Sequence, residues 1–325
     1  SFVFLQHLLV VLLFCAPMMR LAGATLVGLA AGSGFGGDVM ERQFTMYNGV
    51  PVGEDALRHA GWHKHDEHGC DPHLGFGWTK SRSGATKGEP LIVYTTAGGQ
   101  SAGVGTIIRG DAGEQFADEQ QKWASSHHLV EPKNDPTVAH IDVAFRSGSI
   151  VCSGATGGDT VGDVIIVNPA GRNSKSIPLT EAQSEREGWR RGSCFDGMGW
   201  HRFLDTSRQD GTLSGQSKNL FPVVAMYDQH GAINAIFFAS RLNQVSIPVI
   251  ASNGWEPKSL DNSEMCMNTC DGDACDFGET PDGVWSTMHI YLQDHKNAVC
   301  PKSLTCAISF PFRASCCDAQ SAIQV

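Results

Sequence analysis

Between Trp62 and His73 the chain reads Trp-His-Lys-His-Asp-Glu-His-Gly-Cys-Asp-Pro-His, which puts four imidazoles and three carboxylates within twelve residues. These are the donor types that copper, zinc and nickel prefer. On an extended strand alternate side chains share a face, so His63 and His65 would point the same way, and with His68 they form one candidate ligand cluster. A second candidate pairs His201, which follows Gly199-Trp200, with His289 in the strand-like stretch from Met288 to Leu292. If those two strands are neighbours, the rings meet, and a third donor from His230, His295 or Asp228 would leave an open position for a catalytic metal. Met226 and Met288 are soft donors in the same half. The competing reading is structural: a solvated His-rich loop in the first case, and core histidines among Ile and Val in the second, where His140 sits in a similar context to His289.

Other chemistries find less support. The Gly-x-Ser-x-Gly match at Gly99-Gln100-Ser101-Ala102-Gly103 falls inside a strand-turn-strand pattern rather than on a strand-to-helix turn, so a nucleophile elbow is unsupported. Gly32-Ser-Gly34-Phe-Gly36-Gly37 lacks the preceding strand and following helix that would cradle a phosphate. The acidic run Asp271-Gly-Asp273-Ala-Cys-Asp276 does not have the spacing of an EF-hand loop. Cys266-x3-Cys270-x4-Cys275 has a knuckle-like spacing but no histidine at finger distance. A net charge of -10, with Lys and Arg scattered apart from Arg190-Arg191, leaves no basic footprint for nucleic acid.

The elements that must position these residues occur twice. Pro51-Val52-x-Glu54, Gly61-Trp62, Cys70 and Gly75-Phe76-Gly77-Trp78 are answered by Pro178-Leu179-x-Glu181, Gly188-Trp189, Cys194 and Gly197-Met198-Gly199-Trp200. Further on, Pro90-Leu91-Ile92 with Gly99 is answered by Pro222-Val223-Val224 with Gly231, and His140-Ile141-x-Val143 with Cys152 by His289-Ile290-x-Leu292 with Cys300. The period is too long for a solenoid and suits two domains of ordinary size. Each copy opens with a short helix, Glu54 to His59 or Glu181 to Glu187, the second with Thr180 and Gln183 spaced as a capping box. Strand-turn-strand patterns follow at Leu91–Thr95 with Val104–Ile108, and at Val223–Tyr227 with Ile233–Ala239. Ala139 to Phe145 and Met288 to Leu292 read as strands, Asp163 to Val167 as a short buried strand opening the second copy, and Glu114 to Trp123 as a helix. Ser153 to Asp163 is rich in Gly, Ser and Thr and reads as the linker.

With 325 residues, 41% hydrophobic content, 37 glycines and only 18% charged residues, the chain is expected to be globular and turn-rich. Residues 1–24 read as a secretory signal, apolar from Phe2 to Pro17 and ending in Ala22-Gly23-Ala24; a chain starting at Ser1 is expected to lack the basic leading region. No later stretch is apolar for long enough to span a bilayer. Once Cys15 leaves with the signal, ten cysteines remain of the eleven, an even number that suits disulfides in an oxidising compartment. Cys70 and Cys152 are the only two in the first copy, which predicts a bridge between them and a counterpart from Cys194 to Cys300.

In outline, a secreted two-domain β protein with about five disulfides and histidines in each half is similar to the copper monooxygenases that hydroxylate peptidylglycine or dopamine. The likeness is architectural. That family divides two coppers between its domains, whereas His127-His128 and His63-x-His65 both fall in the first copy here, so the family is not assigned. The expected fold is β-rich α+β: two tandem homologous domains, each a sheet or sandwich with a short helix, stabilised by disulfides. Residues 1–24 are the signal, 25–155 the first repeat and 156–325 the second, with a Cys-rich end. The expected function is a secreted, extracellular enzyme dependent on copper or zinc, an oxidoreductase or hydrolase, with His201, His289, His63, His65 and His68 as ligands. The alternative is a non-catalytic binding or structural protein built from a duplicated module. Its partner would be a small molecule or an extracellular polymer.

Overall fold

The computed structural model describes residues 40–44, 46–85, 89–109, 138–155, 161–171, 174–207, 219–240, 255–258 and 285–300. The signal segment, the helix expected at Glu114–Trp123, His127-His128, the acidic run from Asp271 and Cys266, Cys270, Cys275, Cys306, Cys316 and Cys317 lie outside these residues.

The chain is β-rich, with two antiparallel sheets and a few short helices. In chain order the elements are β1 (Met40–Phe44), β2 (Met46–Val50), α1 (Glu54–His59), β3 (His63–His65), β4 (Phe76–Thr79), β5 (Leu91–Thr95), β6 (Ser101–Arg109), β7 (Val138–Ala144), α2 (Gly148–Val151), β8 (Ile166–Val167) and β9 (Lys175–Ser176). They continue as α3 (Glu181–Arg186), β10 (Arg190–Phe195), β11 (Gly199–Phe203), β12 (Val223–Tyr227), β13 (Ile233–Ser240), β14 (Glu256–Lys258), β15 (Trp285–Tyr291) and a 3-10 turn (His295–Asn297). Sheet 1 runs β3-β4-β5-β6-β7-β8-β9, and sheet 2 runs β10-β11-β12-β13-β15-β1-β2, with β14 also on β15. Strand β8, within the stretch expected to open the second copy, pairs with β7 of the first half and forms a hairpin with β9. Conversely, β1-β2 lies in the first half but pairs with β15 of the second. Strands on both sides of residues 155 and 156 therefore share a sheet.

Local chemistry explains the helices. Thr180 Oγ1 accepts from the Gln183 amide at 3.3 Å, the cap read from the sequence. In α1 the acids Glu54 and Asp55 lie in the first turn and Arg58 and His59 in the last, each at the end of the helix dipole that favours its charge. The amide at the start of each helix reaches the tip of a hairpin: Glu54 N to Gly99 O at 2.7 Å, and Glu181 N to Gly231 O at 2.8 Å. Gly99 and Gly231 have φ of 81° and 74°, a region glycine enters without strain.

Both expected disulfides form, Cys70–Cys152 and Cys194–Cys300. One contiguous apolar core draws Trp78, Val104, Ile141 and Val143 from sheet 1 and Trp200, Ile236 and Ile290 from sheet 2.

Strand pairing sets the correspondence between halves two residues away from the one the motifs suggest. His63 pairs with Thr79 and Phe76 with Thr95, while Arg190 pairs with Phe203 and Trp200 with Tyr227. Gly75 thus stands where Gly199 stands, and Gly-Phe-Gly-Trp does not lie over Gly-Met-Gly-Trp. Gly105 opposite Asp142 likewise matches Phe237 opposite His289, so the position of His289 is held by Asp142 rather than His140. Gly75 and Gly199 have φ of 89° and 84°, and a Cβ on either would run into a backbone oxygen, of Thr95 or Tyr227 respectively. Gly75→Ala and Gly199→Ala are each expected to lower unfolding free energy by roughly 1–3 kcal/mol in urea titrations. Gly49→Ala, whose added methyl meets nothing within 4 Å, is expected to change it by less than about 0.5 kcal/mol.

Candidate functional site

Three places carry chemistry-bearing side chains among the described residues. The first is the face of sheet 1 turned away from the main core. Leu91, Val93, Val104, Ile141 and Val143 point into that core, so the alternate residues Ile92, Tyr94, Gly103, Gly105, His140 and Asp142 share the other face with His63, His65, Gly77 and Thr79. Gly77 and Gly105 make room there: a Cβ on Gly77 would touch the Tyr94 ring, and one on Gly105 would strike the Asp142 carboxyl. Tyr94 Oη donates to Asp142 Oδ1 at 2.6 Å. Burial holds the Asp142 carboxyl above its usual range, opposed by the charge of His140 and the Tyr94 hydrogen bond and assisted by Asp71. Burial, followed by the Asp142 charge, pushes the Tyr94 hydroxyl well above its ordinary value.

At the edge of this face, His65 Nε2 lies 2.6 Å from Thr79 Oγ1, which donates to Ser81 O at 2.6 Å. The hydroxyl has one proton and spends it on Ser81, so the hydrogen on the histidine side must sit on Nε2. Its other nitrogen, Nδ1, faces Glu67 Oε1 at 3.6 Å. His63 shares the strand and the face, while His68 stands in the exposed turn beyond it.

The second place holds the other expected ligands. His201 on β11 and His289 on β15 are 2% and 6% exposed, and β12 and β13 lie between their strands. Three strand spacings amount to about 14 Å. Yet the ring centroids are 6.5 Å apart, so the rings lean together over a curved sheet, with Phe237 at 5.7 Å from one and 4.9 Å from the other. Phe195 packs edge-on to His201 at 5.3 Å, and Tyr291 carries the row on to His295 at 6.1 Å. Met226 is the direct register partner of His201. Of the third donors considered, Asp228 Oδ1 accepts the amides of His230 and Ala232 in its own hairpin turn at 2.8 and 2.9 Å. Among the described residues no group of three His, Cys, Asp or Glu side chains is placed to hold a metal ion. Two imidazoles approach; a complete donor set does not.

The third place was not read from the sequence. A cavity of about 140 Å³ lies between the end of β2, the turn after α1 and the facing ends of β4 and β5. Val50, Pro51, Trp62 and Leu91 give it apolar walls, and Lys80 and Glu89 bring opposite charges. Lys80 Nζ donates to Ala60 O at 2.6 Å and sits 5.4 Å from the centre of the Trp62 ring. Pro51 and Trp62 belonged to the repeated motif, but nothing in their spacing announced a cavity, because Lys80 reaches it from just after β4 and Glu89 from just before β5.

No protein-family model matches the chain, and no curated protein or solved structure does so either.

The Tyr94–Asp142 pair has a pH signature. A carboxyl raised by folding favours the protonated form, so its contribution is fully present below the ordinary carboxylate range and is lost as pH rises through the folded value. Asp142→Asn keeps an acceptor for Tyr94 and cannot titrate. The stability of the variant relative to the parent is expected to improve steadily between about pH 3 and pH 7, measured by urea unfolding at each pH. A difference that does not vary with pH would remove Asp142 from this role.

Proposed function

We propose that the protein is a secreted, disulfide-stabilised binding protein built from a tandemly duplicated module, and that it takes a small molecule or one residue of an extracellular polymer in the cavity beside Trp62. The observation that carries this reading is the cavity itself: an aromatic and aliphatic wall with a cation and a carboxylate at its margin. Pockets for drug-sized ligands run to roughly 300–1,000 Å³, so about 140 Å³ suits a group the size of a single sugar or amino-acid residue.

The duplication is supported by a network that recurs at matching positions. Glu54 Oε2 pairs with Lys64 Nζ at 2.9 Å, and Lys64 lies 4.2 Å from the centre of Phe76. Glu181 Oε1 pairs with Arg191 Nε at 3.1 Å, and Arg191 lies 3.7 Å from the centre of Trp200. Two disulfides closed within their own halves suit an oxidising compartment. No helix among the described residues is long and apolar enough to cross a membrane.

A second reading rests on the approach of His201 to His289 across two intervening strands. It is a copper- or zinc-dependent oxidoreductase or hydrolase with those two ligands, and with His63, His65 and His68 as a further cluster. Two measurements separate the readings. Calorimetric titration with a panel of monosaccharides and amino acids is expected to give saturable binding that Lys80→Met and Glu89→Gln each weaken at least tenfold while each variant still unfolds cooperatively. Binding by no member of the panel would sink the cavity reading. Metal content by plasma mass spectrometry, on the untagged protein and on His201→Ala/His289→Ala, tests the second. About one copper or zinc per chain, lost in the double variant, would favour the enzyme.

A further inference from the structure

Each half of the chain carries the hairpin that completes the other half's sheet. β1 pairs with β15 through Glu41–Tyr291, Arg42–Ile290 and Gln43–His289, and β8 pairs with β7 through Val167–Val143 and Ile166–Ala144. The two pairings match residue for residue: Val143 and Ala144 stand where Ile290 and Tyr291 stand. From each hairpin the chain returns to its own half through a proline, Pro51 after β2 and Pro178 after β9. The strands receiving the hairpins are deeply buried, with Ile141, Val143, Ile290 and Tyr291 at 0% exposure. An open edge there would leave ladder amides and carbonyls unpaired beside apolar surface.

The covalent link between the halves is, by contrast, lightly held. The Cys70–Cys152 and Cys194–Cys300 bridges each close within one half, and no disulfide among the described residues joins the two. Just after Cys152 the chain runs exposed through Ser153, Gly154 and Ala155.

We propose that this segment can be cut without separating the halves, so that the protein persists as a two-chain particle held by reciprocal hairpin exchange. The edges of β7 and β15 are the interaction surfaces, and the partner of each is the hairpin of the other piece. The cut is a hydrolysis: water adds across one peptide C–N bond, leaving a carboxylate on the first piece and an ammonium on the second. Neither new terminus lies in a sheet. If the protein is secreted, as proposed above, extracellular proteases would meet such a segment, and the association would rest on the strand pairing together with the apolar core that the two sheets share.

The test uses the full chain with a site-specific protease sequence inserted after Gly154, its unfolding curve first matched to that of the parent. After complete cleavage, a non-reducing denaturing gel is expected to show two bands, and native gel filtration at micromolar concentration a single peak at the volume of the uncut protein. Two peaks on gel filtration would overturn the proposal, as would a single band on the non-reducing gel, which would mean a disulfide holds the pieces. Arg42→Pro, which removes one amide from the β1 ladder, is added to the same chain. It is expected to weaken association of the cut pieces at least tenfold while the uncut variant still unfolds cooperatively. Equal association with and without the proline would show that the hairpin is not what joins them.

Discussion

The strand edges of β7 and β15 are the constraint on which the rest of the fold depends. β7 ends the run of strands that its own half contributes, and beyond the short reach of β14 the edge of β15 at His289–Tyr291 does the same; both are flanked by side chains largely removed from solvent. Backbone groups in such a place must find partners, and a short charged edge exposed to water is no remedy when the neighbouring residues are Val143 or Ile290. The hairpin that meets the need comes from the opposite half. With the hairpins exchanged, the apolar face of one sheet can be covered only when the other is formed. A core that includes Trp78 and Trp200 in one cluster follows from that arrangement.

The sequence was most legible where one short segment contained the whole cause. Helix α1 ends before Gly61 and α3 before Gly188, both with positive φ, and Thr180 caps the second from within four residues. The runs Leu-Ile-Val-Tyr-Thr and Val-Val-Ala-Met-Tyr lie in strands because β-branched and aromatic side chains fit a pleated, buried surface. The exchange of hairpins was not legible. Ile166–Val167 falls within the stretch from Asp163 to Val167 that reads as a strand, but Lys175–Ser176 is too short for any period to show, and the pairing of β8 with β7 of the other half leaves no local mark. The two-residue error in matching the halves has a related origin. A slip of two leaves every side chain on its original face, so alternation cannot detect it. Strand register and the carbonyl crowding both Gly75 and Gly199 match these two positions.

Of the chemistry, the histidines stood out in the sequence and their surroundings did not. His201 and His289 were expected to meet on neighbouring strands; they meet through curvature, with Phe237 between them. Tyr94 and Asp142 went unnoticed because 48 residues separate them and each sits in an apolar strand, where Tyr reads as core and Asp as an edge charge. A signal did exist: Gly103 and Gly105 alternate within β6, and small residues on one face of a strand mark where a neighbour needs space. The charged wall of the cavity comes from the residue that follows β4 and from the residues leading into β5, and periodicity along one element cannot show it.

What recurs between the halves and what does not divides scaffold from chemistry. The carboxylate that opens each helix, the cation facing it and the aromatic ring under that cation are kept, as Glu54, Lys64 and Phe76 or as Glu181, Arg191 and Trp200. Burial alone would raise the Glu54 carboxyl; hydrogen bonds from Arg58 and Lys64 overcome it and hold the group below its usual range. That network ties helix to strand in both halves and needs no ligand to account for it. The register partners on the far face differ in kind: Gly77 against His201, Tyr94 against Met226 and Asp142 against His289. One face buries a polar pair over glycines, and the other packs imidazoles among phenyl rings. A Cβ on Gly77 would meet the Tyr94 ring at 3.4 Å, so that ring lies directly over the glycine, whereas at the matching place in the other sheet His201 carries a ring of its own beside Met226. The ladders beneath are paired alike, so the difference between the two faces is confined to their side chains.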